Sequence, residues 1–563
     1  MTVKLSRLHD QYVKLQRRFH PERDVAVMVS ELVEALGCTA RNVRLLLREM
    51  AALGWIRWEP AQGRGRTSRL MFLRAAEQLP QQELRQLLES GRLAEMLSLV
   101  EGDTKALESS LNQFLGAVTE GENRIVRVPW YRSISLLEPW KPQRRTERHL
   151  LRQCFAGLTR YDARQGRVVP DLAHHWKHDE ERRVWDFFLK SGLKFSDGSV
   201  LDASDVERCI SALTRSPVFS RLYQDVESIA VIDRQQLRIA LRHPNHRFAD
   251  LLSHASALIY GNSRGKTLYT GPWQVKSHDG FSLVMRVNPW YYGVRPVIDE
   301  VSIMKIESDI LDMGRIQVFY QGMQQAGPPS RQERIERGSC FLVVDGAGRF
   351  TAEEDRVFLN HVLQPVDILK NASHQRKMHL ALSVAQGLLP GWYHRLLDIV
   401  PPLRQKMYRD LTLATFEQPE LARHAEGIIN ILERYGIRCR LIVKPYQAFF
   451  TAPPTGVDLW LSNVVLDDAS DYAVNAWIQS DPILERSGRS WLQERAEVGR
   501  GINTGQATCE TALEKLVRDW TEQRWFIPLV YHLVDREQFP VVGNESTSEL
   551  GWINFSEAWF DIR

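Results

Sequence analysis

The chain has 563 residues, which is too long for one hydrophobic core and predicts two or three domains. Hydrophobic residues make up 44% of it and charged residues 25%, as in ordinary globular proteins, and no apolar run is long enough to span a membrane. The formal net charge is only +4, so any strongly basic surface must be local.

The first twenty residues predict an amphipathic helix near residues 7–19. Leu8, Tyr12, Leu15 and Phe19 recur at helical spacing between charged residues. The segment lacks the apolar block and small-residue cleavage site of a secretory signal, so we expect the protein in the cytoplasm. Six widely spaced cysteines without a CxxC pair argue against a zinc ribbon or a disulfide scaffold and predict free thiols.

Residues 30–73 predict a winged helix-turn-helix. A short apolar helix ends at Gly37, and Thr39 then caps a second helix by accepting a hydrogen bond from a first-turn amide. Four apolar residues form one stripe of that second helix and must face a core: Val43, Leu46, Leu47 and Met50. Three arginines run along another side at the same spacing: Arg41, Arg44 and Arg48.

A hairpin is predicted after the second helix. Gly54 ends the helix, and residues 55–59 alternate as a strand would. The turn holds a proline and two glycines within residues 60–65, which suits a tight wing. Its basic side chains are Arg64, Arg66 and, on the returning strand, Arg69.

Positive charge is concentrated in this region. Residues 1–74 contain 14 lysines and arginines against 7 aspartates and glutamates, a net charge of +7, whereas the whole chain carries +4. We expect the second helix to enter the major groove of double-stranded DNA and the wing to rest on phosphates. The predicted DNA-binding residues are Thr39, Arg41, Asn42, Arg44, Arg48, Arg64, Arg66 and Arg69. The alternative is a small helical domain whose arginines are merely solvated.

Residues 76–120 predict a helical connector. They are rich in Leu, Glu, Gln and Ala, with apolar side chains at helical spacing over residues 84–100, and the helical pattern runs to Val118. This pattern is compatible with a homodimer contact and with packing inside one chain, and both interpretations stay open. At Gly121 the composition changes to Trp, Pro and short strands.

Three later segments, residues 157–213, 269–293 and 525–533, resemble the family 5 extracellular solute-binding proteins, the peptide and nickel receptors of bacterial ABC importers. The matching pieces are Pro170-Asp171-Leu172-Ala173 with Trp176, Phe195 with Asp197-Gly198, Asp205-Val206, Thr270-Gly271-Pro272 and Asn288-Pro289-Trp290-Tyr291. The resemblance implies a two-lobed periplasmic-binding-protein-like fold whose lobes close on a ligand between them.

A winged helix-turn-helix fused to such a domain, without a secretory signal, resembles the SgrR-type transcriptional regulators. Further matches are Gly63-Arg64-Gly65-Arg66 with Ser68-Arg69-Leu70 in the wing and Leu388-Leu389-Pro390-Gly391-Trp392 in the second lobe. The named member of that family responds to sugar-phosphate stress and activates a small regulatory RNA gene. The resemblance therefore implies a cytoplasmic regulator that binds DNA and senses a small-molecule effector such as a sugar phosphate, and activation and repression both stay open. We expect no cofactor, metal or membrane partner.

The resemblance also implies which segments border the ligand cleft. The expected ligand-binding residues are Tyr131, Arg132, Trp273, Trp392 and Asn463, with Arg132 the candidate for a phosphate group. The competing interpretation of each is a packing residue, because aromatic side chains supply core burial everywhere. Peptide receptors of the family carry an acidic residue shortly after a Trp, where this chain has Asn463. A neutral amide cannot supply that charge-assisted hydrogen bond, which argues against peptide binding.

The predicted fold class is α/β multidomain. A winged helix-turn-helix takes residues 1–75, the helical connector takes residues 76–120, and a two-lobed periplasmic-binding-protein-like (class II) α/β domain takes residues 121–563. Within that domain, the predicted first lobe comprises about residues 121–304 and 525–563, and the predicted second lobe about residues 305–524.

Two other functions stay open at this level. A solute or peptide receptor of an ABC importer would need no DNA-binding domain. A hydrolase would use Ser263 as the nucleophile of Gly261-Asn262-Ser263-Arg264-Gly265, but that motif requires a helix directly behind it, where the sequence leads into a Gly-Pro turn. No carboxylate pair stands out from the acidic background, so we expect no enzyme.

Overall fold

The computed structural model describes residues 7–19, 24–61, 66–73, 114–130, 132–306, 332–346, 348–371, 382–394, 409–466, 471–485, 489–536 and 552–560. The chain forms two compact units. The first holds residues 1–118, 127–132 and 304–321, and the second holds residues 119–126, 133–303 and 322–563. Among the described residues, no helix combines the length and the apolar character needed to cross a membrane.

Helices occur in both units. In chain order they are α1 (Arg7–Phe19), α2 (Val29–Leu36), α3 (Ala40–Ala52), α4 (Arg145–Cys154), α5 (Ala203–Thr214), α6 (Phe248–Leu251), α7 (Glu353–Val362), α8 (Pro365–Asn371), α9 (Pro419–Arg434), α10 (Tyr446–Thr451), α11 (Tyr472–Ser480), α12 (Arg489–Asn503) and α13 (Cys509–Glu522).

Most strands are short. They are β1 (Asp24–Val27), β2 (Ile56–Glu59), β3 (Ser68–Phe72), β4 (Gly116–Glu120), β5 (Asn123–Trp130), β6 (Thr159–Asp162), β7 (Arg167–Pro170), β8 (Ala173–His178), β9 (Val184–Leu189), β10 (Val226–Val231), β11 (Gln236–Leu241), β12 (Gly261–Ser263), β13 (Lys266–Leu268), β14 (Trp273–His278), β15 (Ser282–Val287), β16 (Glu300–Lys305), β17 (Gln332–Ile335), β18 (Cys340–Val344), β19 (Leu382–Val384), β20 (Asp410–Phe416), β21 (Arg438–Lys444), β22 (Leu459–Asn463) and β23 (Phe526–Arg536).

The core of the first unit forms around one stripe of α3. Val43, Leu47 and Met50 are fully buried there, as the spacing predicts. Tyr12 of α1 closes the core from the other side, because its ring meets Trp55 edge-on with centroids 5.5 Å apart. The Tyr12 hydroxyl also donates to the Trp55 carbonyl oxygen at 3.2 Å. This packing fixes which face of α3 remains exposed.

The turns beside α3 follow the predicted chemistry. Gly37 ends α2 with a φ of 60°, a conformation that favours glycine, and the Thr39 hydroxyl caps α3 by accepting from the Asn42 amide at 3.4 Å. One strand was missed by the sequence analysis. β1 pairs antiparallel with β3 and makes the wing sheet three-stranded, in the order β1-β3-β2. Its four residues are too few to carry an alternating pattern.

The predicted helical connector lies almost entirely outside the described residues, which resume at residue 114. Gly116–Glu120 form β4, so the prediction of helix as far as Val118 was wrong for its last residues. The composition change at Gly121 corresponds to the turn between β4 and β5, where this glycine has a φ of 63°. A left-handed turn of this kind joins two paired strands of one sheet.

The second unit contains two groups of sheets. We call residues 133–303 with 552–560 lobe I, and residues 332–536 lobe II. Outside lobe II the sheet orders are β10-β11-β9-β8, β14-β15-β16-β5-β4, β6-β7 and β12-β13. Lobe II is built on one sheet of order β17-β23-β18-β22-β20-β21, with β19 also paired to β23. Within it, β20 runs parallel to both β21 and β22, whereas β18 is antiparallel to its neighbours.

Strand β23 corrects the predicted boundary between the lobes. Residues 525–563 were predicted in the first lobe, but β23 pairs with β17, β18 and β19 and is an internal strand of the lobe II sheet. Its apolar run from Phe526 to Val530 is buried on both faces. The chain contacts lobe I again at Trp552, which stacks on His149 with ring centroids 5.7 Å apart.

The GxSxG-like segment forms a hairpin. Gly261–Ser263 and Lys266–Leu268 pair as antiparallel strands β12 and β13, and the turn residues Arg264 and Gly265 have φ values of 51° and 76°. A strand, and not a helix, follows Ser263. The geometry of a nucleophile elbow is therefore not formed, as the sequence analysis expected.

Replacing Gly427 with alanine should destabilise lobe II. An alanine inside a helix usually stabilises it by up to about 1 kcal/mol relative to glycine. In α9, however, a Cβ at Gly427 would lie 2.1 Å from the Ile368 carbonyl oxygen of α8, so the helices would have to separate. Gly427→Ala should lower the free energy of unfolding by about 1–3 kcal/mol in urea denaturation. Gly280→Ala, where a Cβ meets nothing within 4 Å, is the control. Equal stability of the two variants would contradict the tight helix contact.

Candidate DNA-binding face and effector site

The side of α3 opposite its buried stripe is exposed and basic. Arg41, Arg44 and Arg48 all lie on it, and none of the three forms an ion pair within the part of the chain that the structure describes. Asn42 is exposed on the first turn. Thr39 is exposed as well, but its hydroxyl serves as the cap of α3. The structure thus brings these five predicted residues together on one helix and its cap.

The wing carries fewer unopposed charges than the sequence indicates. Arg66 is exposed just before β3. Arg69 lies on β3 directly opposite Glu59 of β2, so a carboxylate faces its guanidinium group across the ladder. The Ser68 hydroxyl accepts from the Ala61 amide at 3.1 Å and holds the base of the wing. Arg64, at the predicted tip, lies outside the described residues.

Lobe II gathers small polar side chains at one edge of its sheet. Ser339 precedes β18, Thr415 is near the end of β20, and Ser462 and Asn463 end β22. Since β20 and β22 are parallel, their carboxyl ends lie at the same edge, and the register places Cys340 of β18 there opposite Asn463. In open α/β sheets, ligands bind at the carboxyl ends of parallel strands. We call this region the strand edge.

The amino-terminal turn of α4, in lobe I, contacts the strand edge. The Arg144 guanidinium group donates to the Glu417 carbonyl oxygen at 2.6 Å, just beyond the end of β20. The Arg148 guanidinium group donates to the Val465 carbonyl oxygen, just beyond the end of β22. Together with Arg145 these residues form what we call the arginine cluster. Three positive charges from lobe I therefore border the polar edge of lobe II.

Buried polar residues continue behind the strand edge. They are Glu336, Cys340, Glu420, His424 and His532. Glu336 connects them to the arginine cluster, because it forms an ion pair with Arg145 and lies 3.5 Å from Nδ1 of His532. Sγ of Cys340 is 3.5 Å from Nδ1 of His424. We call these five residues the buried polar cluster.

Burial sets the protonation of this cluster. It lowers the pKa of His424 to about 3, with smaller lowering effects from His532 and Arg423. Burial also lowers the pKa of His532, against the opposing effect of Glu420. It raises the pKa of the Cys340 thiol, in the same direction as Glu420 does. At neutral pH neither imidazole adds a positive charge to the site, and the thiol keeps its proton.

Five buried polar atoms of this region have no hydrogen-bond partner among the described residues. They are the hydroxyl oxygens of Ser339, Thr415 and Ser462, Oε2 of Glu420 and Nε2 of His532. A buried polar atom left unpaired costs about 1–3 kcal/mol, so a ligand that pairs with it recovers that free energy. Hydroxyl groups donate or accept, a carboxylate accepts, and a neutral imidazole nitrogen does one or the other. The set suits a small polar ligand with several donors and acceptors.

The predicted ligand residues are only partly found at this edge. Asn463 lies there, half-buried at the end of β22. Arg132 follows β5 and groups with the first compact unit, and its place in the ligand cleft stays a prediction. Tyr131 lies outside the described residues. The cations that border the strand edge come instead from the arginine cluster.

Both predicted tryptophans are packing residues. Trp273 is 0% exposed, meets Phe555 edge-on, and donates its indole N–H to the Ser556 hydroxyl at 3.2 Å. Trp392 is buried in the core of lobe II, with its ring beside that of His394 at 5.9 Å. They were predicted to line the ligand cleft, but their burial favours the competing interpretation as packing residues. Large aromatic rings contribute to the free energy of folding mainly through burial.

Neither the arginine cluster nor the buried polar cluster was predicted from the sequence. A signal for the first was present, because Arg144, Arg148 and Arg152 recur at steps of four residues, which is helical spacing. Part of the second had a signal too, since Glu420 and His424 lie four residues apart on the helix that follows an apolar strand. Glu336, Cys340 and His532 come from other segments and carry no local motif.

Comparison with known proteins supports both halves of this arrangement. Residues 7–122 match the family model described as the N-terminal region of a sugar transport-related sRNA regulator. Residues 167–314 match the middle region of the family 5 bacterial extracellular solute-binding proteins. The HTH-type transcriptional regulator SgrR of Yersinia pestis (strain Pestoides F) is 29% identical over 576 residues, which cover 99% of this chain and 99% of that protein. The chain belongs to the SgrR-type transcriptional regulators.

Solved structures show the fold of the second part of this SgrR-type regulator. NikA from Brucella suis, in complex with Fe(III)-EDTA, is 18% identical with a TM-score of 0.57, covering 78% of this chain and 100% of its own. Haemophilus influenzae OppA, in complex with the peptide RPPGFSPFR, is 14% identical with a TM-score of 0.60 and the same coverage. The predicted α/β fold of the solute-binding proteins is therefore confirmed. The regulator joins this fold to a winged helix-turn-helix.

The buried imidazole of His424 should make stability depend on pH. An unfolded histidine titrates near pH 6.5, whereas burial lowers the pKa of His424 to about 3. Between these values only the unfolded chain binds the proton, so the free energy of unfolding falls as the pH is lowered. His424→Gln removes this group, and below pH 6.5 it should lose about 1.4 kcal/mol less per pH unit than the natural protein.

Urea denaturation between pH 7 and pH 5 measures this difference. His174→Gln, at an exposed position on β8, is the control and should keep the natural slope. If His424→Gln showed the same slope as the natural protein, the buried imidazole would not be neutral in the fold.

Proposed function

We propose that this regulator binds double-stranded DNA through the exposed face of α3 and through the wing, and that a small polar metabolite bound at the strand edge changes that binding. The proposal places the protein in the cytoplasm, where its DNA is. The observation that carries it is the combination of an unpaired basic face on α3 with a buried, unpaired polar edge in lobe II.

Charge and geometry support the DNA contact. Residues 1–74 carry a net charge of +7, and three of the arginines lie along the exposed side of one helix. A helix in the major groove can bond guanine edges through such side chains. Arg41, Asn42, Arg44 and Arg48 are assigned to the groove. Arg66, with Arg64 and Arg69, is assigned to the phosphates beside it.

Arg44→Ala should weaken specific DNA binding by about 1–3 kcal/mol and relax the base preference at one position, if this guanidinium group reads a base. Binding is measured by fluorescence anisotropy at fixed salt, on duplexes that the natural protein selects from random sequence. Arg17→Ala is the matched control, because Arg17 is an exposed arginine of the same unit on α1. Equal losses in both variants would mean that the net charge acts, and that α3 is not the reading element.

The chemistry of the strand edge supports a polar effector. Thr415 and Ser462 project from opposite faces of the sheet, so their unpaired hydroxyl groups would bind the hydroxyl groups of a sugar-like ligand from two sides of this edge, with Oε2 of Glu420 as a further acceptor. Arg144 and Arg148, at the border of the edge, would match an anionic group such as a phosphate. The neutral Asn463 offers no partner of opposite charge for a peptide amino group. A phosphorylated or otherwise anionic sugar is therefore the effector class that we propose.

The effector must distinguish two states in order to act. A ligand with equal affinity for the open and closed arrangements of the lobes would shift nothing, however tightly it bound. Contacts from both lobes give the required difference, because the strand edge belongs to lobe II and the arginine cluster to lobe I. Closure around the ligand would then be favoured, and DNA affinity would change with it. A homodimer through the connector would add to this coupling, and light scattering tests it.

Ser462→Ala should separate ligand binding from folding. The Ser462 hydroxyl is buried and unpaired, so removing it should leave the free protein as stable as before or slightly more stable. It should also weaken effector binding by about 0.5–1.5 kcal/mol, the net contribution of one hydrogen bond. Thermal unfolding is recorded with a panel of sugar phosphates, free sugars and dipeptides. Each compound that raises the unfolding temperature is then tested for its effect on DNA affinity.

Thr521→Ala is the matched control for this experiment. The Thr521 hydroxyl is also buried but donates to the Val517 carbonyl oxygen within α13 at 2.8 Å. That variant should be less stable and should keep the full effect of the ligand. The proposed site would be wrong if Ser462→Ala bound every active compound as the natural protein does. The regulatory switch would be wrong if no stabilising compound altered DNA affinity.

A further inference from the structure

The exposed face of α3 carries one large apolar side chain among its charges. Leu45 is 55% exposed, in a helix whose other leucines are buried or half-buried. At about 100° per residue, Leu45 lies about 190° around the helix axis from the mean direction of Val43, Leu47 and Met50. It is therefore almost opposite the core stripe, on the line of the helix that would enter a groove most deeply.

The neighbours of Leu45 indicate what kind of partner covers it. Arg41 precedes it by four residues, Arg48 follows it by three and Glu49 follows it by four, so two positive charges and one negative charge lie beside it. Both arginines are exposed and neither forms an ion pair with a described residue. A protein surface that buried Leu45 would have to bury these two charges with it, and the cores of protein interfaces are poor in charge. A polyanion with an apolar group in its groove fits both requirements.

Among base edges in the major groove of DNA, thymine presents a methyl group, and apolar side chains pack on it. We propose that Leu45 contacts the 5-methyl group of a thymine and thereby specifies that base. This inference rests on the proposed DNA contact of α3. With a rise of about 1.5 Å per residue, Arg41 and Arg48 lie about 6 Å and 4.5 Å from Leu45 along the axis. Bases are spaced about 3.4 Å apart, so guanines read by these arginines would lie one or two base pairs from the thymine.

Uracil-substituted DNA tests the contact atom by atom. The full-length protein first selects a duplex from random sequence, and each thymine of that duplex is then replaced singly by deoxyuridine, which lacks only the methyl group. The natural protein should bind one of these substituted duplexes about four-fold more weakly, because the complex no longer buries one methyl group. Leu45→Ala should bind the thymine and the uracil duplex equally. Alanine keeps the helix intact, because it has the highest helix propensity.

Leu53→Ala is the matched control. Leu53 is a similarly exposed leucine, 51% accessible, at the carboxyl-terminal cap of the same helix. This variant should keep the full preference for thymine over uracil. The inference is overturned if Leu45→Ala still prefers thymine, or if the natural protein tolerates every uracil substitution. If the natural protein enriches no duplex at all, the DNA-binding function proposed for α3 fails with it, so the two failures are distinguishable.

Discussion

The burial of three side chains on α3 decides where every charge of that helix points. Val43, Leu47 and Met50 have no exposed surface, and Tyr12 and Trp55 complete the core against which they pack. A helix that slipped by one residue would rotate all of its side chains by about 100° relative to the core and turn the arginines together away from their present exposed side. The basic face is thus a consequence of hydrophobic burial and of the capped turn before it. Its charge determines which partner it meets, but not where it lies.

The strand edge of lobe II differs from the core around α3, because the groups buried there are polar instead of apolar. The cost of burying them is limited because most are neutral. Burial keeps the imidazoles of His424 and His532 uncharged and the Cys340 thiol protonated, while Glu336 has Arg145 as its partner. The edge therefore offers hydrogen bonds without a large net charge of its own. Charge selectivity would come from lobe I, through the arginine cluster.

The sequence predicted the parts whose cause is local. The stripe on α3, the cap at Thr39 and the turn at Gly37 follow from spacing and residue type, and the resemblance supplied the two-lobed fold. The strand edge could not be found this way, because Ser339, Thr415 and Ser462 come to the same edge of the sheet only through the pairing of β18, β20 and β22. Trp273 shows the converse error, since a large aromatic ring in a matching segment looks the same whether it binds a ligand or fills a core. Four-residue β1 was missed because it is too short for any period to appear.

The contacts of the arginine cluster also limit how tightly an effector can bind. Arg144 and Arg148 already donate to the Glu417 and Val465 carbonyl oxygens, so a ligand that takes these guanidinium groups must replace existing hydrogen bonds. The binding free energy that the ligand gains from the arginines is only the difference between the new hydrogen bonds and those they replace. The unpaired hydroxyl groups of the strand edge make no hydrogen bond with a described residue that a ligand would have to replace. Discrimination among anionic ligands should therefore come from the neutral hydroxyl contacts, while the arginines mainly couple occupancy to the relation between the lobes.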